Sequence, residues 1–151
     1  MNTDTNGNEA STSHGLLISR ASQRNTVGVP PEYFTGPVQL EMLFSPNGPD
    51  RTSAGLVTFP PGARTHWHSH PLGQTLIVTA GSGRVQREDG PMQVIDPGDI
   101  VRIPPNTKHW HGAAPDQSMS HIAIQEALDD KSADWMQPVE DHQYQDSAKA
   151  Q

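Results

Sequence analysis

From Val38 to Leu128 the chain is a run of short, alternating segments cut by glycine and proline, and this rhythm restricts the fold more than any other feature. VQLEMLF (38–44) precedes a loop with Pro46, Asn47, Gly48 and Pro49, and SAGLVTF (53–59) runs into Pro60-Pro61-Gly62. ARTHWHSH, QTLIVTA, GRVQRE, MQVI, DIVRI, KHWHG and SMSHIAIQEAL follow. Between them fall Gly81-Ser82-Gly83, Asp89-Gly90, Asp96-Pro97-Gly98-Asp99 and Pro104-Pro105-Asn106. Turn signals of this kind between period-two runs mark strands and hairpins. With no long helical period before residue 128, the pattern predicts an all-β sandwich or barrel.

The flanks read differently. Residues 1–14 are almost wholly Asn, Thr, Asp, Ser and Gly, a composition that cannot offset the entropy of ordering, and they are expected to form a disordered arm. Residues 15–128 are expected to be a single β-barrel domain, since 151 residues leave room for one core but not two. The tail, 129–151, reads as one or two short helices laid on the barrel, anchored by Trp135, Met136 and Val139.

Composition narrows the chemistry. A net charge of −7, with scattered Lys and Arg, speaks against nucleic acid and against an anionic membrane surface. No apolar run approaches the roughly 18 residues of a membrane span. The N-terminus lacks the basic segment and apolar core of a signal peptide, so a cytoplasmic location is expected. The chain has no cysteine, so any metal must be held by nitrogen and oxygen.

Three of the eight histidines fall within five residues, as His66, His68 and His70. Side chains alternate along a strand, so the three are expected on one face, with Trp67 and Ser69 on the other. By the same parity His109 and His111 face together and Trp110 faces away. Lone histidines are ordinarily exposed or hydrogen-bonded. Two alternating clusters converging on one interior instead favour a divalent cation, because uncompensated burial of so many imidazoles is costly. Gln74, just past the Pro71-Leu72-Gly73 turn, can add a neutral carbonyl oxygen. Trp67 and Trp110 are expected to pack in the core or between subunits. Arg64 shares the inward parity, which allows a pocket role beside the commoner surface pairing.

These spacings resemble the two cupin motifs. Gly62, His68, His70, Gln74 and Gly81 fall at the intervals of the first, with glutamine in the glutamate position. Gly98, Pro104, Asn106 and His109 match the second, with asparagine in place of the middle glycine, a swap that a left-handed turn tolerates. The resemblance implies a jelly-roll barrel in which His68, His70, Gln74 and His109 are the metal ligands. Over Tyr33 to Tyr144, the phrases YFTGPV, WHSHPLGQTLIVTAGSG, KHWHGAAP, HIAIQEAL and DWMQPV are similar to small bacterial manganese cupins that act as hydroxynitrile lyases. That likeness implies three histidines and one glutamine around a single divalent ion, manganese first, with Fe, Ni, Co or Zn also suited to such donors. His66 departs from the lyases, which carry a small residue there, and is an additional pocket candidate.

Three imidazoles and an amide add no charge, so the cation keeps its full +2 and favours Lewis-acid chemistry over oxygen activation. That favours lyase, hydrolase or isomerase chemistry, and the resemblance implies, as the leading expectation, a lyase that cleaves or forms a cyanohydrin from an aldehyde and hydrogen cyanide. His111 or His121 is the candidate acid/base, with Gln125 orienting cyanide or the nitrile. Each could instead hold a ligand in place through a hydrogen bond. The alternatives are a mononuclear iron dioxygenase and a non-enzymatic ligand-binding cupin in which His66 closes the site. The expected partners are a small-molecule substrate and further copies of the chain, as a dimer or tetramer built through the sheets.

Overall fold

The structure, a computed structural model, describes residues 11–13 and 15–146. In chain order the strands are β1 (Ser11–Ser13), β2 (Leu16–Ile18), β3 (Thr26–Gly28), β4 (Phe34–Thr35), β5 (Gln39–Phe44), β6 (Thr52–Phe59), β7 (Arg64–Thr65) and β8 (His68–Ser69). They continue as β9 (Gln74–Gly81), β10 (Gly83–Arg87), β11 (Gln93–Ile95), β12 (Ile100–Ile103), β13 (His109–Ala113), β14 (Met119–Glu126) and β15 (Asp134–Trp135), before the helix α1 (Asp141–Asp146). No helix among the described residues is long and apolar enough to cross a membrane.

Two antiparallel sheets face each other. One runs β12-β9-β14-β6-β5-β3; the other runs β11-β10-β13-β7-β4, with β8 pairing both β13 and β15. Inward residues follow the period of two: Met119, His121 and Ala123 of β14 and Gln74, Leu76 and Val78 of β9 are buried, and the residues between them are not. The core between the sheets is built on Val38, Val57, Phe59, Val78, Ile95 and Met119. This is the all-β architecture expected from the strand rhythm, in the jelly-roll form that the resemblance implies.

All five residues of β13 are buried, because the tail covers its outer face. There Trp67, Trp110, Val139 and Tyr144 form a second apolar cluster, joined by Met136, so the two tryptophans do pack in a core. Arg64 is buried beneath the same segment. Its guanidinium donates to the Val139 carbonyl at 2.7 and 3.2 Å and lies 4.5 Å from the Tyr144 ring centroid. It therefore takes no pocket role, and the ion pair it makes, to the exposed Asp141 at 2.8 Å, is made from a buried position.

Three boundaries differ from expectation. Within the arm predicted over residues 1–14, Ser11–Ser13 pair with β2; residues 1–10 and 14 lie outside the described residues. The tail is not purely helical: only Asp141–Asp146 is helix, and Asp134–Trp135 joins the sheet as a strand beside β8, so the barrel extends past residue 128. Residues 147–151 of that tail also lie outside the description. Finally, ARTHWHSH is two strands, not one. At the break the His66 N–H donates to the Tyr33 carbonyl and the Trp67 N–H to the Gln137 carbonyl, so the chain changes partners between β7 and β8.

Candidate metal centre

The site forms where β8, β9, β13 and β14 turn their inward positions toward one another. His109 of β13 lies directly opposite His68 of β8, and their ring centroids are 4.3 Å apart. The turn that carries the chain from His70 to Gln74 requires glycine at position 73. Its φ is +80°, and a Cβ there would come within 2.6 Å of the Ile103 carbonyl oxygen. Asn106 adopts φ 59°, the left-handed conformation expected at this motif position, and donates its N–H to the His70 carbonyl at 2.8 Å. One backbone hydrogen bond thus ties the two motifs together.

Four imidazoles converge. Among the described residues, ligand atoms of His68, His109 and His111 lie within 4.8 Å of one another. His70 is adjacent, its ring centroid 4.9 Å from that of His68. Three of the four are held in the same way. His68 Nδ1 bonds the His66 carbonyl at 2.9 Å, His70 Nδ1 the Ser132 carbonyl at 2.7 Å, and His109 Nδ1 the Thr107 carbonyl at 2.9 Å. A carbonyl only accepts, so each Nδ1 carries the proton and each Nε2 presents a lone pair. His111 differs: its Nδ1 meets His121 Nε2 at 2.9 Å.

Several buried polar atoms have no hydrogen-bond partner: Nε2 of His70, His109 and His111 and Oε1 of Gln74. Unsatisfied groups at this depth are costly, and four acceptors aimed into one space are what a cation would satisfy. The residues present therefore fit a divalent metal with nitrogen and oxygen preference. His68, His70, Gln74, His111, His121 and Gln125 border a cavity of about 190 Å³ whose other wall is apolar, formed by Phe34, Leu40, Met42, Val57, Ala123 and Trp135. Trp135 stacks on the His68 ring, centroids 4.5 Å apart. A more open groove of about 330 Å³ on the far side of Gln74 and Gln125 contains no histidine.

His66 is 6 % exposed but does not line the cavity, because the alternation breaks at residues 66–67. Sequence reasoning missed Ser132 and Trp135, contributed by the tail. The only hint was an aromatic residue in a segment otherwise read as helix.

Burial pushes every one of these histidines toward the neutral form a metal ligand needs. His68 and His111 fall well below the ordinary value, through burial first and then through neighbouring imidazoles. His109 and His121 are lowered to about 4, again by burial. The sign of the consequence is fixed. An unfolded chain takes protons on these histidines near pH 6.5 while the native state refuses them until about 4, so metal-free protein loses stability as pH falls through that window. The slope is about 1.4 kcal/mol per pH unit for each such histidine. Urea midpoints of metal-free protein at stepped pH check this, and His121→Asn is expected to flatten the curve.

Comparison with known proteins agrees with this geometry. A family model described as "Cupin domain" matches residues 55–124. The chain is 52 % identical over 129 residues to a protein of Granulicella tundricola named (R)-mandelonitrile lyase, covering 85 % of this chain and 98 % of that one. It is also similar to a cupin-like protein of Thermotoga maritima of known structure, at 45 % identity and a TM-score of 0.76, covering 80 % of this chain and 91 % of the other. A cupin-2 domain protein of Rhodospirillum rubrum shares the fold at 20 % identity and a TM-score of 0.64, covering 80 % and 79 % of the two chains.

Proposed function

The chain belongs to the cupin family, and from that premise we propose that it is a metal-dependent lyase interconverting a cyanohydrin with an aldehyde and hydrogen cyanide. The observation that carries this reading is an uncharged donor set beside a histidine pair at the base of an apolar cavity, in a chain half identical to a named mandelonitrile lyase. His68, His70 and His109 through Nε2, and Gln74 through Oε1, would hold the ion, manganese first among Mn, Fe, Ni, Co and Zn. A divalent cation supplies Lewis acidity to a substrate oxygen.

Proton handling falls to His111 and His121. The three proposed imidazole ligands give Nδ1 to carbonyls and keep one tautomer. His111 alone has a titratable partner, so a proton can move along the pair. The cyanohydrin hydroxyl proton goes to His111 Nε2, and the Nδ1 proton of His111 passes to His121 Nε2. As the carbonyl forms, the bond between carbon and cyanide breaks, and cyanide leaves with a proton returned from the same pair. Burial makes both imidazoles poor holders of the extra proton, which favours handing it on. The wall of Phe34, Leu40, Val57 and Trp135 suits the aryl group of an aromatic aldehyde. The nitrile-orienting role expected of Gln125 fits less well, because its amide is engaged at both ends.

The same reading takes the protein as a cytoplasmic homo-oligomer, a dimer or tetramer. Leu56, Ile122, Ile77 and Ile100 pair in one row across four strands, and Ile100 is 62 % exposed, which suits burial against another sheet. The ligand-binding alternative required His66 against the metal ligands, and His66 lies outside the cavity lining.

The test is benzaldehyde release from mandelonitrile by metal-stripped protein, with Mn²⁺, Fe²⁺ or Zn²⁺ restored separately under nitrogen. Release that depends on the metal and needs no oxygen supports the lyase. Silence with every metal, together with Fe²⁺-dependent oxygen uptake on aromatic or diketone substrates, points to a dioxygenase.

A further inference from the structure

Gln74, Gln125 and Ser53 are direct neighbours across three strands. Gln125 of β14 pairs with Gln74 of β9 on one side and with Ser53 of β6 on the other. Their side chains form a chain with a direction. Gln74 Nε2 donates to Gln125 Oε1 at 3.0 Å, and Gln125 Nε2 donates to Ser53 Oγ at 2.9 Å and, more weakly, to the Ser53 carbonyl at 3.5 Å. Gln74 Oε1 is then the buried end with no hydrogen-bond partner, and Gln74 lines the same cavity as His68, His70 and His111.

A glutamine amide has nearly the same shape in its two orientations, but the two ends have opposite chemistry. With oxygen inward, Gln74 is a ligand; with NH₂ inward, it repels a cation. Nothing in the Gln74 side chain itself selects between them. Gln125 Oε1 selects by offering only an acceptor to the outer end of Gln74. Gln125 could in turn reverse, but the Ser53 carbonyl can only accept, so its polarity is set by backbone. Both Gln125 N–H donors point at Ser53, which leaves none for a nitrile.

We infer that Ser53 and Gln125 are positioning residues, an amide relay fixed by strand register that presents Gln74 to the metal as an uncharged oxygen. This inference rests on the metal-site reading above and goes beyond it in naming what orients the fourth donor. It also gives a reason for glutamine where the motif carries glutamate. A carboxylate at position 74 would set its oxygen against Gln125 Oε1, and relieving that clash by turning Gln125 would set oxygen against the Ser53 carbonyl.

The experiment is a Co²⁺ titration of metal-free protein under nitrogen, following the visible absorption of the bound ion. Gln125→Met keeps length and loses all three side-chain hydrogen bonds; it is expected to weaken Co²⁺ binding by about 10- to 100-fold. Ser53→Ala, which removes the stronger of the two anchors, weakens it in the same direction. Gln125→Glu keeps the acceptor facing Gln74 but sets its second oxygen against the Ser53 carbonyl, so it is expected to weaken Co²⁺ binding less than Gln125→Met does. In a Gln74→Ala background, Gln125→Met should change affinity by less than about 2-fold, since the relay has nothing left to orient. Parent-like affinity in Gln125→Met overturns the inference, as does a loss that persists undiminished in the Gln74→Ala background. If Gln125→Met does not fold, Gln125→Ala decides, and parent-like Co²⁺ affinity there overturns the inference. A parent protein that takes up no Co²⁺ overturns the relay and the metal reading together, whereas a parent that binds beside an indifferent Gln125→Met overturns the relay alone.

Discussion

Substituting His109 by alanine is expected to strip the protein of metal, while substituting His111 by asparagine is expected to leave the metal in place and stop turnover. The two residues sit two apart on β13, their rings are stacked at 5.6 Å, and both belong to the tightest group of ligand atoms. What separates them is the partner of Nδ1. The Thr107 carbonyl commits His109 to one tautomer, with Nε2 permanently available to a cation. The His121 ring lets His111 exchange a proton. His109→Ala should therefore lower metal affinity by more than about 100-fold, the upper end of what losing a mere supporting contact costs. His111→Asn should lower kcat by about 10² to 10⁴, the usual contribution of general acid–base catalysis. Metal content by elemental analysis and turnover on mandelonitrile, measured on the same samples, separate the effects. A fully loaded, active His109→Ala protein would sink the ligand assignment. A metal-free His111→Asn protein would make His111 a ligand instead.

Arg64→Met is expected to be strongly destabilising. The guanidinium is 6 % exposed and donates to the carbonyls of Val139 and Gly62 while covering the Tyr144 ring. Its ion pair with Asp141 contributes little, because that carboxylate is 89 % exposed. The buried bonds to Val139 carry the effect. Leaving that carbonyl unsatisfied and loosening Tyr144 should cost about 2–4 kcal/mol. For a domain of this size that is a fall of roughly 10 °C in Tm. The consequence reaches the site, because the segment Arg64 pins also supplies the Ser132 carbonyl to His70 and the Trp135 ring to His68. Differential scanning calorimetry checks the stability, and earlier proteolytic cleavage between residues 129 and 140 checks the release of the tail. An unchanged Tm would show that Arg64 does not hold the tail.

Local residues made much of this legible. Period-two alternation put His68 and His70 on one face and His109 and His111 on another, because strand geometry decides which face a residue takes, while Gln74 was reached through its turn and His121 through the resemblance. Asn106 read as a left-handed turn and is one. The failures share a physical cause. His66 left the cavity because its N–H found Tyr33, about thirty residues upstream, and a partner change of that kind breaks parity without any mark in the local pattern. Asp134–Trp135 looked like part of a helix because two residues carry no period, and their strand exists only by pairing with Ser69 and His68. The role of Ser53 depends on register across three strands, which no single strand reveals.

The carbonyl that fixes His70 belongs to Ser132, 62 positions later in the chain. The first motif therefore emerges from the ribosome long before the group that sets the tautomer of one of its histidines. Pairing across so great a separation is among the last steps a chain completes. The acceptor that commits His70 to one tautomer is therefore in place only once the segment carrying Ser132 has folded back onto the barrel.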